Sequence, residues 1–455
     1  MASTLPVSLL AIVIDYFPDL AELAFEAGDT VFATWLWSMR LAPDTISPLV
    51  AACASEHFEL AEWLYGQEPS AKWASQDVTP ILEGVCKRGT SKSFQWIQSH
   101  QFSEKQTRVG PLIEIAFFHG NEELGMWLWK NFYSWGCIVV GHIVVSAASG
   151  GVEKIILHCL KNYRYELVMK HLEQASIDAC KNGHIRIMEL LITKRAQPAT
   201  ELKETTEPLS HVRVSARVVY DLNLIKVACD EGQLEAAKWL WEWVYNPRMP
   251  EWEFMAEIIE IAFISACGKG YLAVVQWLAS IRPSLERSSK KRRSKKSKTS
   301  RWKRPGLLKA CEGGHKNVVV WLWESSPFLT MEDLRADSAA ALRLACKNGH
   351  LEIVELLWGL GLTVADLGNS VGDVLYCGFA SGNVDLVKWV HQTVFPVDIT
   401  DKSLIWKACI SDSLPLLRFL VSIGVTKANM RQACEVMDPP AYTRAFLGLP
   451  ARQDF

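Results

Sequence analysis

A short sequence pattern recurs along the chain and constrains its fold more than any other feature. The copy at residues 344–358 reads LACKNGHLEIVELLW, which is a small pair, a Lys-Asn-Gly-His turn and apolar residues at helical spacing. In-frame copies occur at residues 179–191, 228–240, 266–278 and 310–322. Self-similarity at a fixed period is typical of helical repeat proteins, in which each unit packs only on its neighbours.

Each repeat can be numbered from an anchor, the glycine of the turn or the residue that replaces it. Most intervals between anchors are 28 to 35 residues, and the longer intervals of 49, 38 and 44 residues predict insertions. Repeats 1 to 12 have the anchors Gly28, Glu56, Gly89, Gly120, Gly151, Gly183, Gly232, Gly270, Gly314, Gly349, Gly382 and Asp412.

The residues around each anchor predict a short helix, a tight turn and a longer amphipathic helix. Alanine lies four residues before the anchor in ten repeats, where a small side chain lets helices approach closely. Glycine at the anchor suits a left-handed helix end, and a proline 13 to 15 residues later, as at Pro283, predicts the end of the second helix. The eighth residue after the anchor is apolar in every repeat, and together with the fourth and fifth it makes a helical stripe.

Thirteen of the nineteen tryptophans follow this frame, so we interpret them as structural. Five lie nine residues after an anchor, which we expect to be near the seam with the next repeat. The other eight lie seven residues after an anchor, where we expect them on the buried stripe: Trp35, Trp63, Trp96, Trp127, Trp239, Trp277, Trp321 and Trp389.

Cysteine usage points to a reducing compartment, and we expect an intracellular protein, cytoplasmic or nuclear. Eight of the twelve cysteines lie three residues before an anchor, so they occupy one repeated structural position. No CxxC pair occurs, and no Cys/His cluster has zinc-finger spacing. Small buried thiols explain this pattern better than a disulfide framework.

The repeats resemble ankyrin repeats over residues 20–435. The matches include Ala345-Cys346, Gly349-His350, Ile353-Val354 and Leu356-Leu357, which correspond to the family's small pair, Gly-His turn and apolar run. The resemblance implies an all-α, ankyrin-like helical solenoid and a non-enzymatic scaffold that binds a protein partner on its concave face. The family's hairpin segment is blurred at Gly359–Asp366, so we expect its β-hairpin fingers to be reduced or missing. TPR or HEAT repeats are the alternative fold.

A basic insertion interrupts the repeats between Gly270 and Gly314. Residues 282–304 carry twelve Lys/Arg and one acid, and a segment this charged is expected to form a mobile loop. It is a solvated loop, a nuclear-import signal, or a contact for nucleic acid or an anionic surface. The candidate residues are Lys290, Lys291, Arg292, Arg293, Lys295, Lys296, Arg301, Lys303 and Arg304.

The termini complete the predicted organisation. Residues 1–19 are expected to form a capping helix, although Leu5-Pro6, Leu9-Leu10 and Tyr16-Phe17-Pro18 resemble the opening of an F-box. That resemblance would imply a ubiquitin-ligase substrate adaptor. Residues 20–436 hold about twelve repeats, with insertions near 195–221 and 282–305, and residues 437–455 form a cap or tail. No apolar run approaches the roughly 18 residues of a membrane span.

A search for catalytic motifs finds none in the structural context that its chemistry needs. HExxH, a P-loop and an EF-hand loop are missing from the sequence, and the GxSxG spacing at residues 368–372 lies between predicted helices instead of after a strand. His119, His184, His315 and His350 lie at or beside anchors, where we expect turn or helix-end roles rather than catalysis. We therefore predict a monomeric, non-enzymatic interaction scaffold without a cofactor or metal. The alternatives are a ligase substrate adaptor and a nuclear factor that uses the basic insertion.

Overall fold

The computed structural model confirms an all-α chain. No strand occurs among the described residues, which form helices joined by turns. The chain divides into two compact units, Met1–Tyr220 and Asp221–Phe455, and the boundary falls at the end of the predicted insertion near 195–221. The described residues are 20–38, 46–67, 79–100, 109–132, 140–163, 165–196, 222–244, 252–288, 302–325, 329–367, 371–394, 401–434 and 439–449.

The first unit contains six helix pairs, one for each of repeats 1 to 6. In every pair the first helix ends one or two residues before the anchor, and the second begins two residues after it. The first helices of successive repeats pack side by side. The helices are α1 Leu20–Glu26, α2 Thr30–Ser38, α3 Ile46–Ala54, α4 Phe58–Gln67, α5 Thr79–Arg88, α6 Ser91–Ser99, α7 Val109–Phe118, α8 Glu122–Phe132, α9 Val140–Gly150, α10 Glu153–Asn162, α11 Tyr165–Lys181 and α12 Ile185–Ala196.

Among its described residues, the second unit contains the helix pairs of repeats 7 to 12 and three further helices, α21, α26 and α27. A short helix, α21, replaces a hairpin in the Gly359–Asp366 segment, as the blurred sequence there predicts. The helices are α13 Leu222–Asp230, α14 Leu234–Val244, α15 Trp252–Lys269, α16 Leu272–Ser288, α17 Lys303–Gly313, α18 Lys316–Glu324, α19 Met331–Lys347, α20 Leu351–Gly359, α21 Val364–Leu367, α22 Val371–Ser381, α23 Val384–Thr393, α24 Lys402–Ile410, α25 Leu414–Ser422, α26 Lys427–Ala433 and α27 Ala441–Leu447.

The anchors end the first helices in a left-handed conformation, as their glycines predict. Eleven of the twelve have positive φ, and Gly89 is the exception. In repeat 10 the amide of His350 donates to the carbonyl of Ala345 at 2.9 Å, and that of Gly349 donates to Cys346 at 3.1 Å. This pair of bonds is the Schellman motif, which satisfies carbonyls at a helix end. The Ala-Cys pair therefore supplies acceptors as well as small side chains.

The second helices bury a narrower stripe than the tryptophans suggested. The fifth and eighth residues after the anchor are buried in all twelve repeats. The eight tryptophans at the seventh position are only partly buried, so placing them on the buried stripe was wrong. They lie at the edge of the stripe, and five of them meet an aromatic ring of the preceding repeat. Trp358 meets Trp389 of the next repeat edge-on, with ring centroids 5.8 Å apart.

Histidines that follow an anchor join neighbouring repeats, which sharpens the predicted turn role. The Nε2 atom of His350 lies 3.1 Å from the carbonyl oxygen of Glu312 in the preceding repeat. The same contact links His315 to Gly268 at 3.0 Å and His184 to Ser149 at 3.1 Å. Since each ring bonds a carbonyl near the preceding helix end, it fixes the spacing of two successive turns.

The cysteines behave as the repeated spacing predicts. All eight cysteines that lie three residues before an anchor are buried. Burial raises the pKa of the Cys53 and Cys311 thiols to about 12, so both stay protonated at neutral pH. No disulfide joins any of the described cysteines.

Two expectations about the basic insertion were wrong at its edges. Helix α16 continues through Pro283 to Ser288, so this proline does not end it. On the other side, Trp302 is buried and meets Phe263 edge-on at 4.2 Å, which positions Lys303 at the start of α17. Both ends of the 282–304 segment therefore belong to helices or to the core instead of to a loop.

Candidate functional site

The exposed sides of the first helices in repeats 10 to 12 form the most distinctive surface of the second unit. Helices α19, α22 and α24 are consecutive first helices, and α22 contacts both of the others. Residues nine, six, five and two positions before each anchor lie on the side that the second helices leave uncovered. We call this surface the first-helix face, and its residues are Ala340, Arg343, Leu344, Lys347, Asp373, Tyr376, Cys377, Ala380, Ser403, Trp406, Lys407 and Ile410.

A cavity of about 350 Å³ opens on this face between α19 and α22. Leu344 and Cys377 line it as half-buried apolar groups, while Lys347, Asp373 and Tyr376 are its exposed lining residues. The side chain of Tyr376 is unusual for a large apolar residue because 38% of it is exposed. The arrangement is an apolar depression with charged and aromatic groups around it.

Three cations, Arg343, Lys347 and Lys407, lie at or beside this cavity. Nη1 of Arg343 lies 3.5 Å from the Asp373 carboxylate, and its Nη2 donates to the carbonyl of Asp337 at 3.0 Å. Lys407 places its ammonium 4.6 Å from the centroid of the Tyr376 ring and 4.9 Å from that of Trp406. A lysine held over two aromatic faces is stabilised by cation–π attraction and keeps N–H groups for further acceptors.

The pKa of the Cys377 thiol depends on the charged groups around the cavity. Burial raises its pKa, and the Asp373 carboxylate raises it further, while Lys347, Arg343 and Lys407 act in the opposite direction. The net effect is a raised pKa, so Cys377 is mainly a neutral thiol at physiological pH and reacts slowly with electrophiles. The same interactions show that all three cations lie within electrostatic reach of one point.

A kink in α19 positions Arg343. The backbone leaves the helix at Ala336, and Asp337, Ser338 and Ala339 have φ values of 52 to 54°. Left-handed φ in three successive non-glycine residues is uncommon and costs free energy. The kink turns the carbonyl of Asp337 toward Arg343, and the Asp337 carboxylate pairs with Arg304 of α17.

The basic residues singled out from the sequence do not assemble into one site in the described part of the chain. Lys303 is only 8% exposed at the start of α17, and Arg304 is occupied by Asp337. These two residues therefore belong to the packed repeat and are not free members of a basic loop. The other candidates lie outside the described residues: Lys290, Lys291, Arg292, Arg293, Lys295, Lys296 and Arg301.

The F-box-like opening and the nuclear-import segment both lie outside the described residues. The F-box-like opening lies within residues 1–19, outside the described residues, so the ligase-adaptor reading stays a prediction. The same holds for nuclear import through residues 289–301. Within the described ranges, no group of three His, Cys, Asp or Glu side chains could hold a metal ion. No helix among those ranges is long and apolar enough to cross a membrane.

Motif searching missed the residues of the first-helix face because no motif contains them. The signal is the column six residues before the anchor, which becomes visible once the repeats are aligned. This column holds an acid in repeats 1, 3 and 4, an apolar aliphatic residue in repeats 2, 5, 6, 8 and 9 and a lysine in repeat 7, but Arg343, Tyr376 and Trp406 in repeats 10 to 12. Three consecutive repeats with a cation or an aromatic residue at this position distinguish the first-helix face from its counterparts.

Comparison with known families supports the fold assignment. A family model described as ankyrin repeats, in three copies, matches residues 262–366. This match spans α16 to α20 completely and includes the Arg343 and Lys347 part of the first-helix face. The comparison with curated proteins gave no match. The chain is therefore an ankyrin-repeat-containing protein, and repeats of this class are generally protein–protein interaction modules.

Proposed function

We propose that the chain is a non-enzymatic scaffold and that the first-helix face of repeats 10 to 12 binds its protein partner. The observation that carries this proposal is the cluster of exposed Tyr376 with partly exposed Arg343 and Trp406 beside an apolar cavity. Arginine, tyrosine and tryptophan are the residues most enriched among those that dominate binding energy at protein interfaces. Since they project from packed helices, they are held in place before a partner arrives.

The cavity supplies the apolar centre that an interface of this kind requires. Leu344 and Cys377 are half-buried without a partner and would become fully buried under a bound side chain. Ile410, which is 39% exposed, extends the apolar surface along α24. An interface typically combines such a dry centre with a charged rim, and Lys347 and Asp373 supply that rim.

We further propose that the protein acts inside the cell as a monomer. The free state of every described cysteine, with eight of them buried at one repeated position, supports a reducing compartment. The raised pKa of the buried thiols keeps them protonated and inert, which is the behaviour of packing groups rather than redox centres.

The proposal is tested by purifying partners with the full chain and measuring the affinity of the partner recovered. Truncating Tyr376 to serine should weaken that complex about 30-fold, the effect of losing roughly 2 kcal/mol at the centre of an interface. The control is Val421→Ser on α25, because Val421 is 44% exposed but lies on a second helix. Equal affinities for the wild-type chain and the Tyr376→Ser variant would show that the partner binds elsewhere.

A further inference from the structure

We infer that the partner of the first-helix face presents an acidic segment with one bulky apolar side chain. This inference rests on the proposed function and specifies the chemistry of the partner. Its basis is the charge of the first-helix face, whose residues include three cations, Arg343, Lys347 and Lys407, and one acid, Asp373. A ligand that complements this surface is therefore negatively charged.

The positive charge is a local property of this face. The whole chain has a net charge of −2, and the basic insertion alone contributes a large positive charge, so the remaining residues are strongly acidic. At the position that matches Arg343, none of repeats 1 to 6 has a cation. Repeat 4 has Glu114 there, which lies 3.8 Å from His142. Repeats 10 to 12 thus present a cationic surface on an otherwise acidic array, which favours one class of partner at one place.

Two of the cations have geometries suited to carboxylates. Lys347 is exposed beside the cavity, so its ammonium group can approach a partner without losing the packing of α19. Lys407 is already held against the Tyr376 and Trp406 rings, which limits the side-chain entropy that binding would remove. An acidic side chain on either side of the cavity would therefore find an ordered donor.

The cavity is the reason to expect a bulky apolar side chain in the partner. Its volume of about 350 Å³ lies near the lower end of those that take small ligands. Ala340, Leu344 and the neutral thiol of Cys377 give it apolar walls. One leucine or aromatic side chain of a peptide fits this space, and flanking carboxylates would reach Lys347 and Lys407 from there.

A peptide fits this surface better than a nucleic acid does. The Asp373 carboxylate lies among the lining residues and already pairs with Arg343, so evenly spaced phosphates would meet a fixed negative charge. A peptide can place its acids beside Lys347 and Lys407 and leave an apolar residue opposite Asp373.

The test uses the full chain and fluorescein-labelled twelve-residue peptide pools in fluorescence anisotropy. One pool contains Asp or Glu at half of its positions and Leu or Phe at others, and a second replaces every acid with Asn or Gln. A 20-nucleotide single-stranded DNA is the third probe. We expect the acidic pool to bind at least tenfold more tightly than the amide pool and the DNA. Tighter binding of the DNA, or equal binding of the two pools, would overturn the inference.

Charge reversal locates the binding on the first-helix face. Lys347→Glu and Lys407→Glu should each weaken binding of the acidic pool at least tenfold. The matched control is Lys388→Glu on the second helix α23, whose side chain is 46% exposed and pairs with Asp385 at 3.3 Å. Circular dichroism confirms that each variant is folded. Unchanged affinity in both face variants would refute the assignment.

Alkylation of Cys377 gives an independent measure of occupancy. Cys377 is the one cysteine among the described residues that is not buried, so a bimane reagent should label it faster than the other described cysteines. The Cys377→Ser variant measures the background labelling of all other cysteines. The acidic pool should slow this labelling at least fivefold, and no protection would contradict the cavity assignment.

If Tyr376→Ser still weakens binding of the natural partner but the acidic peptides do not bind, only the inferred chemistry of the partner is wrong. If Tyr376→Ser leaves the natural partner bound, the proposed function is wrong.

Discussion

Replacing Gly314 with alanine should destabilise its repeat by about 2–3 kcal/mol, whereas replacing Gly349 should cost only about 1 kcal/mol. Both glycines end a first helix in the left-handed region, with φ values of 80° and 76°. A side chain in this region costs ~1–2 kcal/mol, and alanine recovers ~0.4–1 kcal/mol by restricting the unfolded chain. The backbone contribution is therefore nearly the same at the two positions.

The difference comes from the histidine of the following repeat. A Cβ atom on Gly314 would lie 2.6 Å from the Cε1 atom of His350, so the ring would have to move. That movement breaks the contact between His350 and the Glu312 carbonyl, a bond worth ~0.5–1.5 kcal/mol, and disturbs the ring packing. A Cβ on Gly349 meets nothing closer than 3.4 Å, which is an ordinary contact.

The assay is hydrogen exchange on the full chain, read from peptides that cover residues 303–359, because exchange reports the opening free energy of individual segments. A double-mutant cycle isolates the ring. On a His350→Ala background, Gly314→Ala should cost no more than Gly349→Ala does in the wild-type chain. Equal losses for the two single glycine variants would refute the ring-contact argument. Losses below 0.5 kcal/mol at both positions would refute the backbone argument.

Three other predictions follow from the fold. Replacing Trp358 and Trp389 with leucine, singly and together, should reveal a coupling of ~0.5–1.5 kcal/mol in urea unfolding, and strict additivity would mean that the edge-on pair contributes nothing. Burial raises the pKa of the Cys311 thiol to about 12 from an ordinary value of 9.0. The buried neutral thiol therefore contributes its full share to the free energy of unfolding below pH 9, and this contribution is lost as the pH rises toward 12. Cys311→Ala should lose less stability than the wild-type chain between pH 9 and 11, and parallel curves would contradict this. A fluorescent fusion lacking residues 289–301 should leave the nucleus if those residues are an import signal, and unchanged distribution would exclude that role.

The repeat architecture could be predicted from the sequence because every repeat must meet the same backbone and burial requirements. Glycine at the anchor accepts a left-handed φ, and Glu56 and Asp412 adopt the same conformation where glycine is replaced. The apolar eighth position is buried in all twelve repeats because it points between the helix layers. A requirement repeated twelve times remains visible even when single repeats depart from it, as Val85 and Gly378 do at the alanine position.

The candidate binding surface was less predictable, for two reasons. Arg343, Tyr376 and Lys407 occupy exposed columns of the repeat, where packing imposes no residue type, so periodicity places them without indicating a role. The kink at Ala336–Ala339 was not predicted, since none of those residues is a glycine or proline that would mark a helix break. The cavity depends on how deeply Leu344 and Cys377 lie, which follows from helix spacing that only the structure provides.

The tryptophans show how far helical geometry alone could have gone. A helix turns about 100° per residue, so the fourth and fifth residues after an anchor span an arc with the eighth between them. The seventh residue lies about 60° outside one edge of that arc, and the ninth about 40° outside the other. Parallel second helices must then bring the ninth position of one repeat against the seventh of the next. The structure has this pairing in Trp37–Trp63 at 6.3 Å, Trp241–Trp277 at 6.4 Å and Trp358–Trp389 at 5.8 Å. The two tryptophan columns are therefore the opposite sides of one seam, which joins repeats along the edge of the buried core. This explains why large aromatic residues recur at the seventh position although they remain partly exposed there.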